Sequence, residues 1–299
     1  MPKRTIYLSN PATIKVSNGS IEIKTKNELK TRVPLEDIWV LIIESHEVVI
    51  TAKALSEICE AGIGTMLCGS NHMPNGLMLP LGAHSRHASI VEDQLLISKP
   101  LKKQLWQAII QQKIRNQATV LSLRHSEKAK DLFALSKEVL SADSNGREAV
   151  AASIYFREVA PEGGRRNSDI APLLDYGYAI LRAGIARCAV AGGWLVSRGI
   201  HHSNNLNAFN LVDDLIEPYR PIVDLIVLEK IKNQTLTTET KRILASVFSY
   251  CFLIEGEKYT VQSSIEETIH SFKRAILESD SSLLKLPQII PLSTWSEEE

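Results

Sequence analysis

Residues 69–89 read GSNHMPNGLMLPLGAHSRHAS, a stretch crowded with Gly, Pro, Asn, Ser and His. Such residues favour turns and interrupt both helical and strand periodicity. The sequence changes character across it. Upstream, residues 5–8, 13–16 and 20–24 are short β-type runs punctuated by Asn10-Pro11 and Asn18-Gly19. An Asn-Gly pair between alternating runs predicts a tight hairpin, because both residues tolerate positive φ. IWVLII at residues 38–43 is continuously apolar, too short for a helix and suited to a buried strand. Residues 48–50 and 64–68 read as further strands, and 51–61 as a helix stopped by Gly62. Downstream of Ile90 the period is 3.6. Residues 104–123, 126–140, 146–158, 173–191, 238–251 and 264–277 read as helices, the last from a Ser-x-x-Glu start at Ser264 and Glu267. The expected fold class is α+β. A small β-rich N-terminal domain (residues 1–70) and a linker (71–89) precede a larger all-α domain (90–286) and a loose tail (287–299) ending in three glutamates.

The 299 residues carry 34 Lys+Arg against 34 Asp+Glu. A nucleic-acid binder is usually basic overall, so any basic surface here must be local. Hydrophobic content of 44% and charged content of 23% suit a globular protein and exclude extensive disorder. Cys59, Cys68, Cys188 and Cys251 show no C-x-x-C spacing, which excludes a zinc ribbon or a thioredoxin-type motif. They read as reduced thiols. The N-terminus, MPKRTIYLSN, lacks an apolar h-region, and the apolar stretch 178–196 is interrupted by Arg182 and Arg187. Neither a secretory signal nor a membrane span is expected, and the chain reads as cytoplasmic.

Three places offer ligands for a cation. Glu148, in NGREAVAA, shares a helical face with Ala152 and Tyr155, whose small neighbours leave a carboxylate room; a solvated glutamate near a helix start is the plain alternative. His201 and His202 follow Gly199 in a loop-like segment where one ring can turn inward, or both can face water. Asp213, Asp214 and Glu217 fall on one side of a turn, where like charges need water, a cation or Arg220 to offset them. Pro218 and Pro221 require a helix to start, bend or stop there. One imidazole with two or three carboxylates suits a hard divalent cation, Mg²⁺ or Mn²⁺. Such a cation can act on a phosphodiester. Between Lys99 and Lys130 eight basic residues, Lys102, Lys103 and Lys113 among them, face Glu127 alone. That excess suggests a phosphate track, against the alternative of a solvated helix face.

NGREAVAASIYF around Glu148, NSDIAPLLDYGYAILRAGI from Asn167 and GIHHSNNLNAFNLVDDLIEPYRPIVD from Gly199 resemble, in order and spacing, the CRISPR-associated integrase that captures spacers. The third block resembles members from type II systems most closely. The resemblance implies a β-rich N-terminal domain and a helical catalytic domain that binds metal. It assigns Glu148, His202 and Glu217 as ligands and catalytic residues, with Asp214 as a further acidic position. His202 stands three positions after Gly199, as the family's histidine does, and His201 stands where the family usually has an apolar residue. Arg165-Arg166 is similar to a basic loop of the family; with Lys102, Lys103 and His201 it is expected to contact DNA. The implied reaction is metal-dependent transesterification, in which the 3′-hydroxyl of a captured fragment attacks a phosphodiester at the edge of a repeat. The implied partners are double-stranded DNA, a second copy of the chain and a small dimeric adaptation protein. A ring-shaped DNA-end binder and an RNA-guided effector nuclease complete the set. Two rival readings are an HD-type metal phosphohydrolase built on His201-His202 and Asp213-Asp214, and a non-enzymatic nucleic-acid-binding scaffold.

Overall fold

Asn18 and Gly19 turn the chain with φ values of 47° and 66°, the left-handed geometry of a two-residue hairpin. The computed structural model describes residues 3–25, 30–80, 84–231 and 235–295. Its first strands are β1 (Arg4–Leu8), β2 (Ala12–Ser17), β3 (Ser20–Thr25), β4 (Lys30–Pro34), β5 (Ile38–Ile43) and β6 (Val49–Ile50). The hairpin joins β2 to β3, and these sit between β4 and β6 in one four-stranded sheet. Helix α1 (Ala52–Glu60) follows, capped by the Thr51 hydroxyl, which accepts the Ala54 N–H at 3.2 Å. Gly62, at φ 71°, then lets the chain reverse into β7 (Gly64–Cys68). β7 lies parallel to β5, which is parallel to β1, forming a second sheet.

β5 explains why IWVLII is apolar throughout. Ile38, Leu41 and Ile43 enter the core of the first sheet, whereas Trp39, Val40 and Ile42 enter the core of the helices. Both faces of the strand are covered, so no position is free to be polar.

The helices are α2 (His87–Leu95), α3 (Lys99–Leu123), α4 (Lys128–Glu138), α5 (Arg147–Val159), α6 (Gly164–Asn167) and α7 (Ala171–Ala191), then α8 (Asn210–Leu215), α9 (Arg220–Lys230), α10 (Thr238–Ala245) and α11 (Val261–Leu277). α3 begins at the Ser98 cap with Pro100 in its first turn. α7 is buried nearly all round. None of the described helices is long and apolar enough to cross a membrane. Cys59, Cys68 and Cys188 are free thiols.

Five expectations need correction. The segment expected as a linker, 71–89, holds β8 (Pro74–Met78), which pairs antiparallel with β7, and the start of α2; residues 81–83 lie outside the described residues. The C-terminal part is mainly helical but not all-α: β9 (Tyr250–Ile254) pairs with β10 (Glu257–Thr260) and β11 (Gln288–Thr294). The helix expected over 238–251 therefore ends at Ala245; a 3₁₀ turn over Ser246–Ser249 follows, and Tyr250–Ile254 forms the central strand of that sheet. The expected loose tail supplies β11, because Asn116 accepts the Ile289 N–H at 3.2 Å and ties the strand to α3; Glu297–Glu299 lie outside the described residues. α11 starts at the Thr260 cap, before Ser264.

Candidate metal and DNA site

Glu217 sits in the turn between α8 and α9, only 5% exposed. Proline at the first turn of α9 fits there because its missing N–H has no helical partner to lose. α3 pins the turn: Asn116 donates to the Pro218 carbonyl at 2.7 Å. The Glu217 carboxylate meets Arg220 Nε at 3.0 Å through Oε1 and Lys113 Nζ at 2.5 Å through Oε2. Lys113 Nζ also lies 2.5 Å from Glu148 Oε1. Glu148 stands in the first turn of α5, which opens at Gly146 in the left-handed region. The Asp143 carboxylate accepts the N–H groups of Arg147 and Glu148 at 2.8 and 3.2 Å and so caps that helix. Burial works to discharge Lys113, but Glu217 and Glu148 outweigh it and hold its pKa above the usual lysine value. Burial pushes Glu217 upward, and Lys113 and Arg220 pull it back below the ordinary glutamate value.

His202 comes from the long loop after α7. Its Nδ1 is 2.7 Å from Asp214 Oδ1. The same fully buried carboxylate accepts the backbone N–H groups of Ile200, His201 and His202 at 2.6, 3.1 and 3.0 Å. Four donors occupy its acceptor sites, so Asp214 folds the loop and holds the ring by Nδ1, leaving Nε2 free. The Asp214 hydrogen bond raises the His202 pKa above its usual value despite burial. Gly199 is required here: a Cβ would lie 2.5 Å from both Asp214 Oδ2 and the His202 carbonyl. His201 stacks on Trp106 of α3, ring centroids 4.1 Å apart, and remains exposed.

The HD-type reading loses its aspartates. Asp214 is occupied as described, and Asp213 accepts Arg182 Nε and Nη2 at 2.7 and 2.8 Å. The expected DNA contacts are separately placed. Lys102 and Lys103 lie in the first turns of α3 with no ion pair among the described residues. Arg166 is exposed on α6. Arg165 pairs with Asp175 at 2.5 Å and stacks on Tyr178, its guanidinium carbon 4.9 Å from the ring centroid. Arg220 lies against the same ring at 5.0 Å. A groove of about 310 Å³ is lined by Arg165, Tyr178, Arg182, His202 and Arg220, together with Asp175 and Asp213, which pair with Arg165 and Arg182; Arg220 connects it to Glu217. Lys113, counted with the basic run, is internal instead. Lys128 and Lys130 are engaged with Asp131 and Glu127.

Sequence reasoning missed Lys113 as a site residue. It also missed Asp224, which lies buried beneath the site and accepts the hydroxyls of Tyr178 and Tyr155, the latter at 2.9 Å. Among the described residues no three His, Cys, Asp or Glu side chains form a preformed metal cage. Two carboxylates and one imidazole nitrogen nevertheless suit Mg²⁺ or Mn²⁺ in donor type. Glu217 Oε2 is buried against the Lys113 ammonium at 2.5 Å, so the oxygen already faces positive charge of the kind a metal ion would supply.

A family model for "CRISPR associated protein Cas1" matches residues 6–267. A CRISPR-associated endonuclease Cas1 of Neisseria meningitidis serogroup C is 38% identical over 305 aligned residues, covering 100% of both chains. One from Francisella tularensis subsp. novicida is 24% identical, covering 85% of this chain and 90% of its own. Among solved structures, a casposase bound to integration product superposes with a TM-score of 0.75 at 18% identity, covering 94% of this chain and 93% of that one. A CAS1 protein from Thermotoga maritima gives 0.73 at 17% identity, covering 92% and 97%. These superpositions match the fold, with its β-rich N-terminal and helical C-terminal parts. The chain belongs to the CRISPR-associated Cas1 family.

Proposed function

We propose that the protein is a metal-dependent DNA integrase and endonuclease of CRISPR adaptation, joining the 3′-hydroxyl of a captured fragment to the edge of a repeat. The observation that carries this reading is the convergence of Glu148 and Glu217 on one buried cation position, beside a groove walled by arginines. The names of the relatives, CRISPR-associated endonuclease and casposase bound to integration product, support it.

Glu148, Glu217 and His202 Nε2 would hold Mg²⁺ or Mn²⁺, which supplies charge stabilisation for the attacking and leaving oxygens of an in-line displacement. The remaining work falls to the chain. Asp214 keeps the His202 ring aimed. Arg165 and Arg220, each stacked on Tyr178, present guanidinium groups to phosphate oxygens along the groove. Transesterification forms one P–O bond as it breaks another, and the leaving 3′-oxygen takes up a proton. The number of phosphodiesters is unchanged, so no external energy source is needed. With water as nucleophile the same site cuts.

Double-stranded DNA is the proposed substrate, and a second copy of the chain and a small Cas2-type protein the proposed partners. Solved Cas1-containing complexes with Cas2 share this fold, one at a TM-score of 0.74, covering 97% of this chain and 36% of that one. A ring-shaped DNA-end binder and an RNA-guided effector nuclease are further proposed partners. The test incubates the protein and its small partner with a supercoiled repeat plasmid, short duplex DNA and Mn²⁺. Covalent joining that disappears with EDTA is expected. DNA binding with neither joining nor cutting under any divalent metal would favour the scaffold reading.

A further inference from the structure

Lys113 is an unusual residue for the place it holds. It lies on the inward stripe of α3, with Ile109 and Ile110 a turn before it and Asn116 and Gln117 a turn after, all buried. Its side chain is 11% exposed, and its Nζ contacts Glu148 and Glu217 at 2.5 Å each. One ammonium therefore bridges the two carboxylates that the proposed function assigns to metal. Arg220 neutralises the other oxygen of Glu217. Two carboxylates, an ammonium and a guanidinium sum to zero, so the site is electrically complete without metal. A divalent cation bound between the same oxygens would face the ammonium at close range, and like charges in a buried setting repel strongly. The two cannot share the position.

We infer that Lys113 is the resident counter-ion of the metal-free site, and that metal enters by exchange with it. This rests on the metal reading of Glu148 and Glu217. The ammonium holds the two facing carboxylates in place before metal arrives, at the expense of metal affinity. Once displaced it carries a charge on a flexible stem and needs an anion, and a DNA phosphate in the adjoining groove supplies one. Metal loading is therefore coupled to DNA binding, and by linkage each strengthens the other.

The test measures Mn²⁺ affinity by titration calorimetry on the full chain, with and without duplex DNA whose 3′ ends are blocked. Wild type is expected to bind Mn²⁺ weakly alone and more tightly with DNA. Lys113→Met is expected to bind about tenfold or more tightly without DNA and to lose most of the DNA dependence. In EDTA Lys113→Met should melt below wild type, and Mn²⁺ should reverse the order. Equal Mn²⁺ affinity in the two proteins, with binding abolished by Glu217→Gln, would overturn the exchange while leaving the metal site standing. No Mn²⁺ binding at Glu217 in either protein would overturn both. If Lys113→Met fails to fold, wild type suffices. Amine-selective labelling read by mass spectrometry should leave Lys113 protected in EDTA and modified under saturating Mn²⁺. Unchanged protection overturns the exchange.

Discussion

His202 Nδ1 stands 2.7 Å from Asp214 Oδ1, on a carboxylate that also gathers three consecutive backbone N–H groups from the loop bearing that histidine. One buried side chain thus sets both where the loop runs and which ring nitrogen faces the groove. Asp214→Asn keeps the shape but replaces an acceptor oxygen with an amide. Joining is expected to fall about 10–100-fold, the usual effect of losing the group that orients a ligating histidine. DNA affinity should stay within twofold of wild type, roughly, because no phosphate-facing charge is removed. A gel-shift titration beside the joining assay separates the two.

Glu217→Gln is expected to lower joining by about 10²–10³-fold or more with DNA binding kept, since under the proposed function it removes the charge that would hold the cation and leaves the basic surface intact. An unchanged joining rate would remove Glu217 from the chemistry.

Lys102 and Lys103 have no acidic partner among the described residues, so charge reversal at both breaks no ion pair and tests the proposed DNA contact alone. Weaker DNA binding is expected, with the slope of log K against log salt shallower by about one unit per lost phosphate contact. An unaltered slope would place both on a solvated face.

Asp224 provides a pH test. Burial raises its carboxyl to about 6 from the ordinary aspartate value of 3.8, against the Tyr178 and Tyr155 hydroxyls that favour the anion. Below 3.8 it is protonated in both states and its contribution to stability is fully present; as pH climbs through 6 that contribution is lost. Asp224→Asn cannot titrate. The stability gap between wild type and variant should therefore shift in favour of wild type as pH falls from 7 to 4, by up to about 3 kcal/mol. Urea unfolding at the two pH values measures it, and a pH-independent gap contradicts the assignment.

Gly184 of α7 packs so closely against Phe248, in the turn after α10, and Trp39 of β5 that a Cβ would lie 2.6 Å from the first and 2.8 Å from the second. Gly184→Ala is expected to destabilise by about 1–3 kcal/mol through overpacking, outweighing the helix propensity alanine adds. The denaturant midpoint reads this directly.

What the sequence made legible was what neighbouring residues decide. The Asn18-Gly19 hairpin, the all-apolar β5 and the long helices follow from turn chemistry and period. β9 was hidden because its residues, YCFLI, follow a helix with no turn signal between them; its partners come from β10 next to it and β11 some thirty-five residues on. Glu148, Glu217 and His202 were reached through resemblance of blocks, since each alone has an ordinary surface explanation. Lys113 was obscured by its company in a basic run. A helical projection holds the corrective signal: Trp106, Ile109, Ile110, Lys113 and Gln117 fall on one stripe, which points that lysine inward. The double duty of Asp214 depends on a loop closing over it, which no spacing rule conveys.

β5 sends alternate groups of side chains into two different cores, and Trp39 on it is held from the helical side: its indole N–H donates to Glu266 at 3.0 Å and Arg187 lies over its ring. A wall common to two rooms cannot be removed from one alone. The β-rich and helical parts should therefore melt in one calorimetric transition, with no half-folded species between. A fragment ending near residue 70 would carry an exposed tryptophan-bearing sheet face and associate rather than stand as a free module. Any distortion that a bound partner imposes on the N-terminal sheet is delivered through β5 directly onto α7, which carries Tyr178 and Arg182 of the groove.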